Sequence, residues 1–291
     1  MKFEKWQALG NDYLIVEAAA LPWELSEERI RRLCDPHFGV GSDGVLLLLP
    51  TEDPGTVAEL RIYNPDGSEA EMSGNGARQA VLYLRRAGWT DEDEFSILTK
   101  AGPIAPRIVS ARECTLQMGR AATASPGFPS GPPDGRAELD AAGRRWRFQH
   151  VSIGNPQCAI EVGEELESLD LPAVGPEIER HELFPNRTNV SFFRVEPGDE
   201  GGGTRVRARI FERGVGETLS SGTGASGAAV AAVLGSSPSP VTVELDGGEL
   251  KVEVDDELDV RLTGWAEPLF SGELSTELLR ALEQTGTERR K

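Results

Sequence analysis

Alternating apolar and polar positions predict strands through most of the chain, interrupted by longer runs with helical periodicity. A helix is expected near 26–34, where Ser26 can cap the first turn, and another near 76–87, which ends at Gly88. The first half is therefore expected to mix helices with strands. Its strands are predicted at 2–7, 12–17, 45–49 and 58–63.

The second half repeats this alternation after a break. The stretch 120–136 is too rich in Pro, Gly, Ala and Ser to form a regular element, and it is the best candidate for a domain boundary. A helix is expected near 222–234, and a shorter one at 273–283 before a loose tail, TGTERRK. PGDEGGG at 197–203 is typical of a hairpin loop. The strands are predicted near 145–152, 157–162, 189–194, 205–212, 241–245, 249–254 and 258–263.

One segment of the chain occurs twice. Residues 61–77 read RIYNPDGSEAEMSGNGA, residues 209–225 read RIFERGVGETLSSGTGA, and the two align without a gap. Each copy combines a strand, a turn and a Gly-rich loop, followed by an apolar run. A second, shorter repeat pairs ALGNDYLIVE at 8–17 with the similar segment SIGNPQCAIE at 152–161. Two halves in the same internal order indicate a pseudo-twofold molecule with its cleft between them.

The Gly-rich loops are candidates for anion binding. Small residues let a ligand approach the backbone, and the unpaired N–H groups at a helix start attract negative charge. Two matched loops favour a carboxylate or phosphate site. The alternative is that Gly74-Asn75-Gly76 only forms a tight turn or a close helix contact. Neither copy matches the dinucleotide fingerprint G-x-G-x-x-G or the P-loop.

Seven motifs together carry a family resemblance. They are ALGNDY near the N-terminus, HFGVGSDG at 37–44, NPDGSE at 64–69, SGNGAR at 73–78, SIGNPQCAI at 152–160, NRTNVSF at 186–192, and FERGVGET followed by SGTGA. In this order, over essentially the whole chain, the sequence resembles diaminopimelate epimerase.

The resemblance implies an α/β fold with mixed sheets. Two pseudo-symmetric domains are expected, each a mixed β-sheet wrapped around a central helix, with the active site in the cleft between them. The first domain would comprise 1–118 and 264–291, and the second 119–263. The implied reaction is the cofactor-independent inversion of an amino-acid α-carbon, LL- to meso-diaminopimelate, by two-base proton transfer. This step supplies lysine and the peptidoglycan precursor.

The same resemblance implies a set of site residues. Ser73 and Ser221 stand where the family pattern has its two catalytic cysteines, C-G-N-G-A-R and A-C-G-T-G-A. The pKa of a thiol can be lowered toward neutrality at a helix start. A serine hydroxyl is far less acidic and normally needs a neighbouring base to remove its proton. The implied substrate-binding residues are Asn11, Asn64, Gly74, Asn75, Asn155, Asn189, Glu212, Arg213, Gly222 and Thr223. Among them, Arg213 is expected to bind the distal end of the substrate.

Three accounts of the two serines stay open. They are an engineered double substitution, a natural divergence in which neighbours activate the serines, or a natural change of role. The last would make the protein a different proton-transfer isomerase or a non-catalytic amino-acid binder. Ser220, Ser226 and Gln157 also depart from the family pattern, which favours natural divergence. Glu69 and Glu217, each four residues before its serine, are candidate activators, although turn and helix-start electrostatics are the favoured explanation of the pair.

Composition and charge narrow the partners. The net charge of −18 argues against nucleic acid and anionic membranes, so a small-molecule amino-acid substrate is the expected partner. The sequence has no signal-like start or long apolar stretch, which predicts a soluble cytoplasmic protein. We expect no cofactor and no metal site, with Cys114 and Cys158 as small buried strand residues. A homodimer is left open by the resemblance.

Restoring both cysteines tests whether the serines limit the chemistry. We expect the double variant Ser73→Cys, Ser221→Cys to create or greatly raise epimerase activity on diaminopimelate, because inversion needs an acid/base group on each face. Each single variant should gain far less. A double variant that binds diaminopimelate but stays inert, measured by loss of optical rotation and by calorimetry, would show that other changes limit the reaction.

Overall fold

The computed structural model describes residues 1–196 and 203–285. Contacts between residues divide the chain into two units, which we call unit 1 (Met1–Leu116 with Trp265–Lys291) and unit 2 (Gln117–Gly264). We keep the sequence-based division, 1–118 with 264–291 and 119–263, as a proposal for the domains. Nearly all of the hairpin loop predicted at 197–203 and of the tail TGTERRK lies outside the described residues.

Nineteen strands and five α-helices make up the described chain. The helices are α1 (Glu27–Cys34), α2 (Gly74–Arg86), α3 (Leu171–Glu179), α4 (Gly222–Leu234) and α5 (Thr276–Thr285). The strands are β1 (Lys2–Ala8), β2 (Asn11–Glu17), β3 (Val45–Leu49), β4 (Ala58–Tyr63), β5 (Glu69–Ala70), β6 (Ile97–Thr99), β7 (Gly102–Ile104), β8 (Arg107–Ser110), β9 (Glu113–Arg120), β10 (Arg136–Ala141), β11 (Arg144–Ser152), β12 (Pro156–Glu161), β13 (Asn189–Glu196), β14 (Thr204–Glu212), β15 (Gly216–Thr218), β16 (Val241–Leu245), β17 (Gly248–Val254), β18 (Asp259–Trp265) and β19 (Glu267–Glu273).

Unit 1 is built on a mixed sheet in the order β19-β1-β2-β3-β4-β6-β7, with β5 paired to β4. β2 and β3 run parallel, whereas β1 and β19 are antiparallel to their neighbours. The helix α2 contacts β1, β2 and β3 and buries nearly its whole length. A second apolar cluster joins the sheet to α1 and α5 through Ile30, Leu33 and Leu282. The sheet thus lies between α2 and the pair α1 and α5.

Unit 2 repeats the plan with more strands, in the order β10-β11-β12-β13-β14-β16-β17-β18, and β15 pairs with β14. Its helix α4 reads GTGASGAAVAAVL and is buried along almost its entire length. It contacts six strands, from β11 to β14 and also β16 and β17. A helix that is apolar on all sides belongs inside a core. A mixed sheet therefore wraps around a central helix, which confirms the predicted fold class.

Helix starts follow the predicted chemistry. The Ser26 hydroxyl caps α1 by accepting from the Arg29 N–H at 3.3 Å. α2 begins at Gly74, two residues earlier than the pattern predicted, because Ser73 already caps it. Its last turn carries Arg85 and Arg86, which suit the negative end of the helix dipole.

Several elements were not predicted. β6, β7 and β15 have three residues each, which is too short for a periodic signal. The helix α3 contains Pro172 and Pro176, yet Asp170 caps it and Pro172 occupies its first turn, where proline is tolerated. β9 and β19 have mixed exposure and show weak alternation.

The Pro- and Gly-rich stretch 120–136 belongs to unit 2. Phe128 is buried there against Phe148 and Phe184, at ring-centroid distances of 5.4 and 5.6 Å. The boundary between the units therefore precedes this stretch. In the described ranges, no helix is both long and apolar enough to cross a membrane.

Candidate functional site

The two serines at the family's cysteine positions are both helix caps. Ser73 precedes α2 with φ −138° and ψ 119°, and Ser221 precedes α4 with φ −143° and ψ 120°. Each hydroxyl oxygen accepts from the N–H three residues later, Gly76 at 3.1 Å and Gly224 at 3.2 Å. The duplicated sequence therefore gives two copies of one local geometry, with each hydroxyl at the positive end of a buried helix.

Ser221 also donates to a carboxylate. Its Oγ lies 3.0 Å from Oε2 of Glu212, and the Thr218 hydroxyl donates to Oε1 of the same carboxylate at 2.8 Å. The turn after β14 makes this possible, because Gly214 and Gly216 adopt positive φ and β15 folds back beside Glu212. Ser221, Glu212 and Thr218 form one connected set of side chains.

Partial burial sets the chemistry of Glu212. Desolvation raises the pKa of its carboxyl above the usual value, and the hydrogen bonds from Thr218 and Ser221 oppose that rise. A carboxylate with a raised pKa is a stronger base near neutral pH than an exposed one. Glu212 therefore lies where it can take up the Ser221 hydroxyl proton when the Ser221 oxygen gains another proton.

The activators expected from sequence are occupied elsewhere. Glu217 pairs with Arg209 at 2.6 Å, and Glu69 lies 3.5 Å from the Lys100 ammonium. Neither glutamate has a hydrogen bond to its serine among the described residues. The described contacts therefore give neither glutamate an activating role, which was the less favoured of the two interpretations from sequence. The carboxylate in contact is Glu212, which the resemblance assigned only to substrate binding.

Ser73 has a different partner. The Tyr13 phenol donates to the Ser73 Oγ at 3.4 Å, from β2 of the same unit. Tyr13 is the last residue of the ALGNDY motif, but it was not predicted as a site residue. The sequence did hold a signal for Tyr13. In the alignment of 8–17 with 152–161, Tyr13 corresponds to Gln157, and each stands two residues after a predicted asparagine, Asn11 or Asn155.

The predicted asparagines of unit 1 are held by neighbours. Asn11 donates from its amide to Asp43 at 2.9 Å, and its backbone carbonyl accepts from Gln79 at 2.9 Å. Asn64 closes the turn that it starts, with its amide 3.0 Å from the Ser68 hydroxyl.

The third asparagine of unit 1, Asn75, is buried in the first turn of α2. Its Oδ1 accepts from the Arg78 guanidinium at 2.5 Å. The side chain is therefore fixed by a residue one turn further along the same helix.

In unit 2, Asn155 joins the strand β12 to the start of α4. Its amide donates to the Thr223 hydroxyl at 3.3 Å and accepts from the Gln157 amide at 2.6 Å. Gln157 is fully buried and packs against α4 at Gly227, where an added Cβ would lie 2.9 Å from its Cβ. Sequence comparison named Gln157 only as a departure; the structure makes it the support of Asn155.

Arg213 lies on a loop that two other residues anchor. The Asn189 Oδ1 accepts from the Arg213 N–H at 2.9 Å, and buried Glu179 accepts from the Gly214 N–H at 2.9 Å. The Arg213 side chain is exposed, and its Nη1 donates to the Asn186 carbonyl at 3.1 Å. The loop is thus fixed while part of the guanidinium stays available.

The glycines of the two loops divide into two roles. An added Cβ at Gly76 would lie 3.0 Å from Leu46 Cδ2, and one at Gly224 would lie 2.8 Å from Ile210 Cγ2. These two glycines permit close packing of helix on sheet, as the alternative interpretation of the motif proposed. Gly74 and Gly222 instead open the helices, where the first N–H groups have no intrahelical acceptor.

The structure groups the predicted residues by unit. Unit 1 holds Asn11, Asn64, Ser73, Gly74 and Asn75, and unit 2 holds Asn155, Asn189, Glu212, Arg213, Ser221, Gly222 and Thr223. Thr218 and Gln157 in unit 2 and Tyr13 in unit 1 join these sets by direct hydrogen bonds. The described part of the chain contains no cluster of three or more His, Cys, Asp or Glu side chains suited to a metal ion.

Comparison with known proteins identifies the family. The diaminopimelate epimerase family matches residues 3–124 and 149–267. A diaminopimelate epimerase from Synechococcus sp. strain JA-2-3B'a(2-13) is 42% identical over 94% of this chain and 97% of its own length. One from Pelotomaculum thermopropionicum is 39% identical over 94% of this chain and 98% of its own length.

A solved structure shows the same fold at low identity. A probable proline racemase from Agrobacterium radiobacter, with bound carbonate, superposes with a TM-score of 0.66 at 16% identity, covering 94% of this chain and 93% of that one. The chain therefore belongs to the diaminopimelate epimerase family of PLP-independent isomerases.

Proposed function

We propose that the protein inverts an amino-acid α-carbon without a cofactor, converting LL- to meso-diaminopimelate for lysine and peptidoglycan precursors. The observation that carries the proposal is the Ser221 hydroxyl bonded to Glu212 at the start of α4. A hydroxyl linked to a carboxylate with a raised pKa can take a proton from carbon and pass its own proton on.

The direction of the hydrogen bonds suggests a division of the two steps. Ser221 donates to Glu212, so its oxygen can accept the α-proton while its own proton moves to the carboxylate. Ser73 accepts from Tyr13, so its own proton can be delivered to the α-carbon and replaced from the phenol. One proton leaves carbon and one reaches the opposite face, which is what inversion requires.

The remaining predicted residues are proposed to bind the substrate. The starts of α2 and α4, with Gly74, Asn75, Gly222 and Thr223, would hold the carboxylate beside the reacting carbon. Asn11, Asn64, Asn155 and Asn189 would bind the ammonium and carboxylate groups, since an amide can both donate and accept. Arg213 would bind the distal carboxylate.

A second candidate is a different proton-transfer isomerase, in which one base removes a proton and returns it, on the same face, to another atom of its substrate. It is favoured by the difference between the serines. Ser221 contacts a carboxylate, whereas the side-chain hydrogen bonds of Ser73 in the described ranges are to Gly76 and Tyr13. A site with one strong base could exchange the α-proton without inverting the carbon.

Proton exchange in deuterated water tests these functions. We expect diaminopimelate to gain α-deuterium, with a rate that rises with pH through the raised pKa of Glu212, because the ionised carboxylate is the base. Glu212→Gln should slow exchange by about 100-fold or more. Glu217→Gln, a carboxylate change in the same unit, should leave exchange within about twofold.

Three outcomes of the exchange experiment separate the functions. Exchange with inversion, followed by mass spectrometry and chiral chromatography, supports the epimerase. Exchange with retained configuration supports the one-sided isomerase. Binding with no exchange would leave only a non-catalytic amino-acid binder.

Arg213→Ala separates substrate recognition from chemistry. Loss of the guanidinium would leave the distal carboxylate without a charge partner, at a cost in binding of about 2–5 kcal/mol. Arg213→Lys should recover only part of this, because an ammonium lacks the planar pair of donors. Calorimetry with diaminopimelate measures the binding affinity of both variants. Unchanged affinity in a folded Arg213→Ala variant would mean that another group binds the distal end.

We also propose a homodimer formed at the edge strand β19. Leu269 and Phe270 on this strand are each 49% exposed, and β19 ends the order of the unit 1 sheet in the described chain. A long exposed apolar edge is normally covered. Sedimentation should give a dimer for the native chain and a monomer for Phe270→Glu, and a native monomer would exclude this assembly.

The free, buried state of all three cysteines suits the proposed cytoplasmic location.

A further inference from the structure

Arg78 is a buried cation for which the described residues of its own unit provide no anionic partner. Its side chain is fully buried, and its Nε and Nη1 atoms have no hydrogen-bond partner among the described residues. Burial lowers the pKa of Arg78 to about 10, so the guanidinium remains charged at neutral pH. Burying an isolated charge costs much free energy, so a buried charged side chain without a partner normally serves a function.

The nearby titratable group does not neutralise it. The charge that acts on Arg78 would come from Cys114, but burial raises the pKa of that thiol to about 12. Cys114 is therefore protonated and neutral at physiological pH. No ion pair joins Arg78 to a carboxylate within the described ranges.

The position of Arg78 in its helix adds to the free-energy cost of burying its positive charge. It lies in the second turn of α2, and its Nη2 reaches back to the Asn75 Oδ1 in the first turn. The start of a helix is its positive end, where a cation is disfavoured and an anion is stabilised. A guanidinium held there adds to the positive potential instead of balancing it, so the arrangement suits a bound anion.

The second copy of the segment shows that the fold does not need this charge. In the gapless alignment of the copies, Arg78 corresponds to Ser226, which is also buried and donates to the Gly222 carbonyl at 2.8 Å. Glu212, the base of unit 2, corresponds to Asn64. Unit 1 thus has the cation and a neutral residue at the position of the base, and unit 2 has the reverse.

We propose that Arg78 is a positioning residue that holds Asn75 and balances the negative charge that the substrate carboxylate gains during proton transfer. The inference rests on the proposed function. When the α-proton moves to the base of the proposed function, the electron pair of the C–H bond spreads into the carboxylate, which then carries two negative charges. A fixed positive charge near developing negative charge lowers the barrier most when no water must reorganise. The electron pair returns to carbon when the new proton arrives.

Substitutions at Arg78 test this assignment. We expect Arg78→Met to lower kcat for α-deuterium exchange by about 10- to 100-fold, with a smaller change in KM. Diaminopimelate affinity, measured by calorimetry, should fall by about tenfold. Arg78→Lys should recover part of both losses, because it keeps the charge but not the geometry. Ser226→Ala, the matched change in unit 2, should alter kcat by no more than about twofold.

Thermal unfolding distinguishes this role from a structural one. Because Arg78→Met removes an uncompensated buried charge, its melting temperature should equal or exceed that of the native chain. Asn75→Asp gives Arg78 an internal carboxylate at the same position, so it should raise the melting temperature and weaken diaminopimelate binding.

Two results would overturn the assignment. One is a loss of activity in Arg78→Met that follows its unfolded fraction and is not recovered by Arg78→Lys. The other is equal diaminopimelate affinity in native, Arg78→Met and Asn75→Asp proteins. A native chain that binds diaminopimelate without exchanging its α-proton contradicts the proposed function and the charge-balancing role together. The affinity comparison then still decides whether Arg78, through Asn75, supports binding of the carboxylate.

Discussion

The structure of both loops depends on one interaction, the hydrogen bond that a serine oxygen accepts from the third N–H of the helix that follows. This cap ends the incoming strand and fixes the start of α2 and of α4. Because each helix is buried along nearly its whole length, its start cannot shift without disturbing the sheet around it. The capping residue is therefore both a structural element and the chemical group of the loop, and its oxygen already accepts one hydrogen bond.

The cap also explains why the two copies can differ in chemistry while sharing geometry. Once Ser73 and Ser221 hold their helices, the residue that contacts the hydroxyl is free to vary. Tyr13 contacts one and Glu212 the other. The same holds one turn later, where Arg78 and Ser226 occupy matched buried positions with different charge. Duplication preserved the backbone at these positions, whereas the charged side chains differ, with Arg78 in unit 1 and Glu212 in unit 2.

The sequence predicted what short-range rules determine. Period-two alternation located β1 to β4 and the strands around α4, and the apolar run of small residues located α4 itself. It could not predict that Glu212, and not Glu217, would contact Ser221. Glu217 is closer along the chain, but the return of β15 beside β14 places Glu212 at the hydroxyl and leaves Glu217 beside Arg209. Strand pairing decided the contact, and pairing is a long-range property. The same limit hid Arg78, which has no periodicity signal beyond that of an ordinary helix residue.

The serine caps bear on stability as well as on chemistry. A hydroxyl is a good cap for a helix start, and loss of such a cap costs about 1 kcal/mol. Sulfur is a weaker hydrogen-bond acceptor than oxygen, so a cysteine at the same position would hold Gly76 or Gly224 less strongly. The thiol gains acidity in exchange, and the dipole that stabilises a thiolate at a helix start does less for a hydroxyl that remains protonated. A chain with serine at both positions thus favours a firm helix start over an easily ionised group. It must then obtain its basicity from a neighbour, which is what the partly buried carboxylate of Glu212 can supply in unit 2.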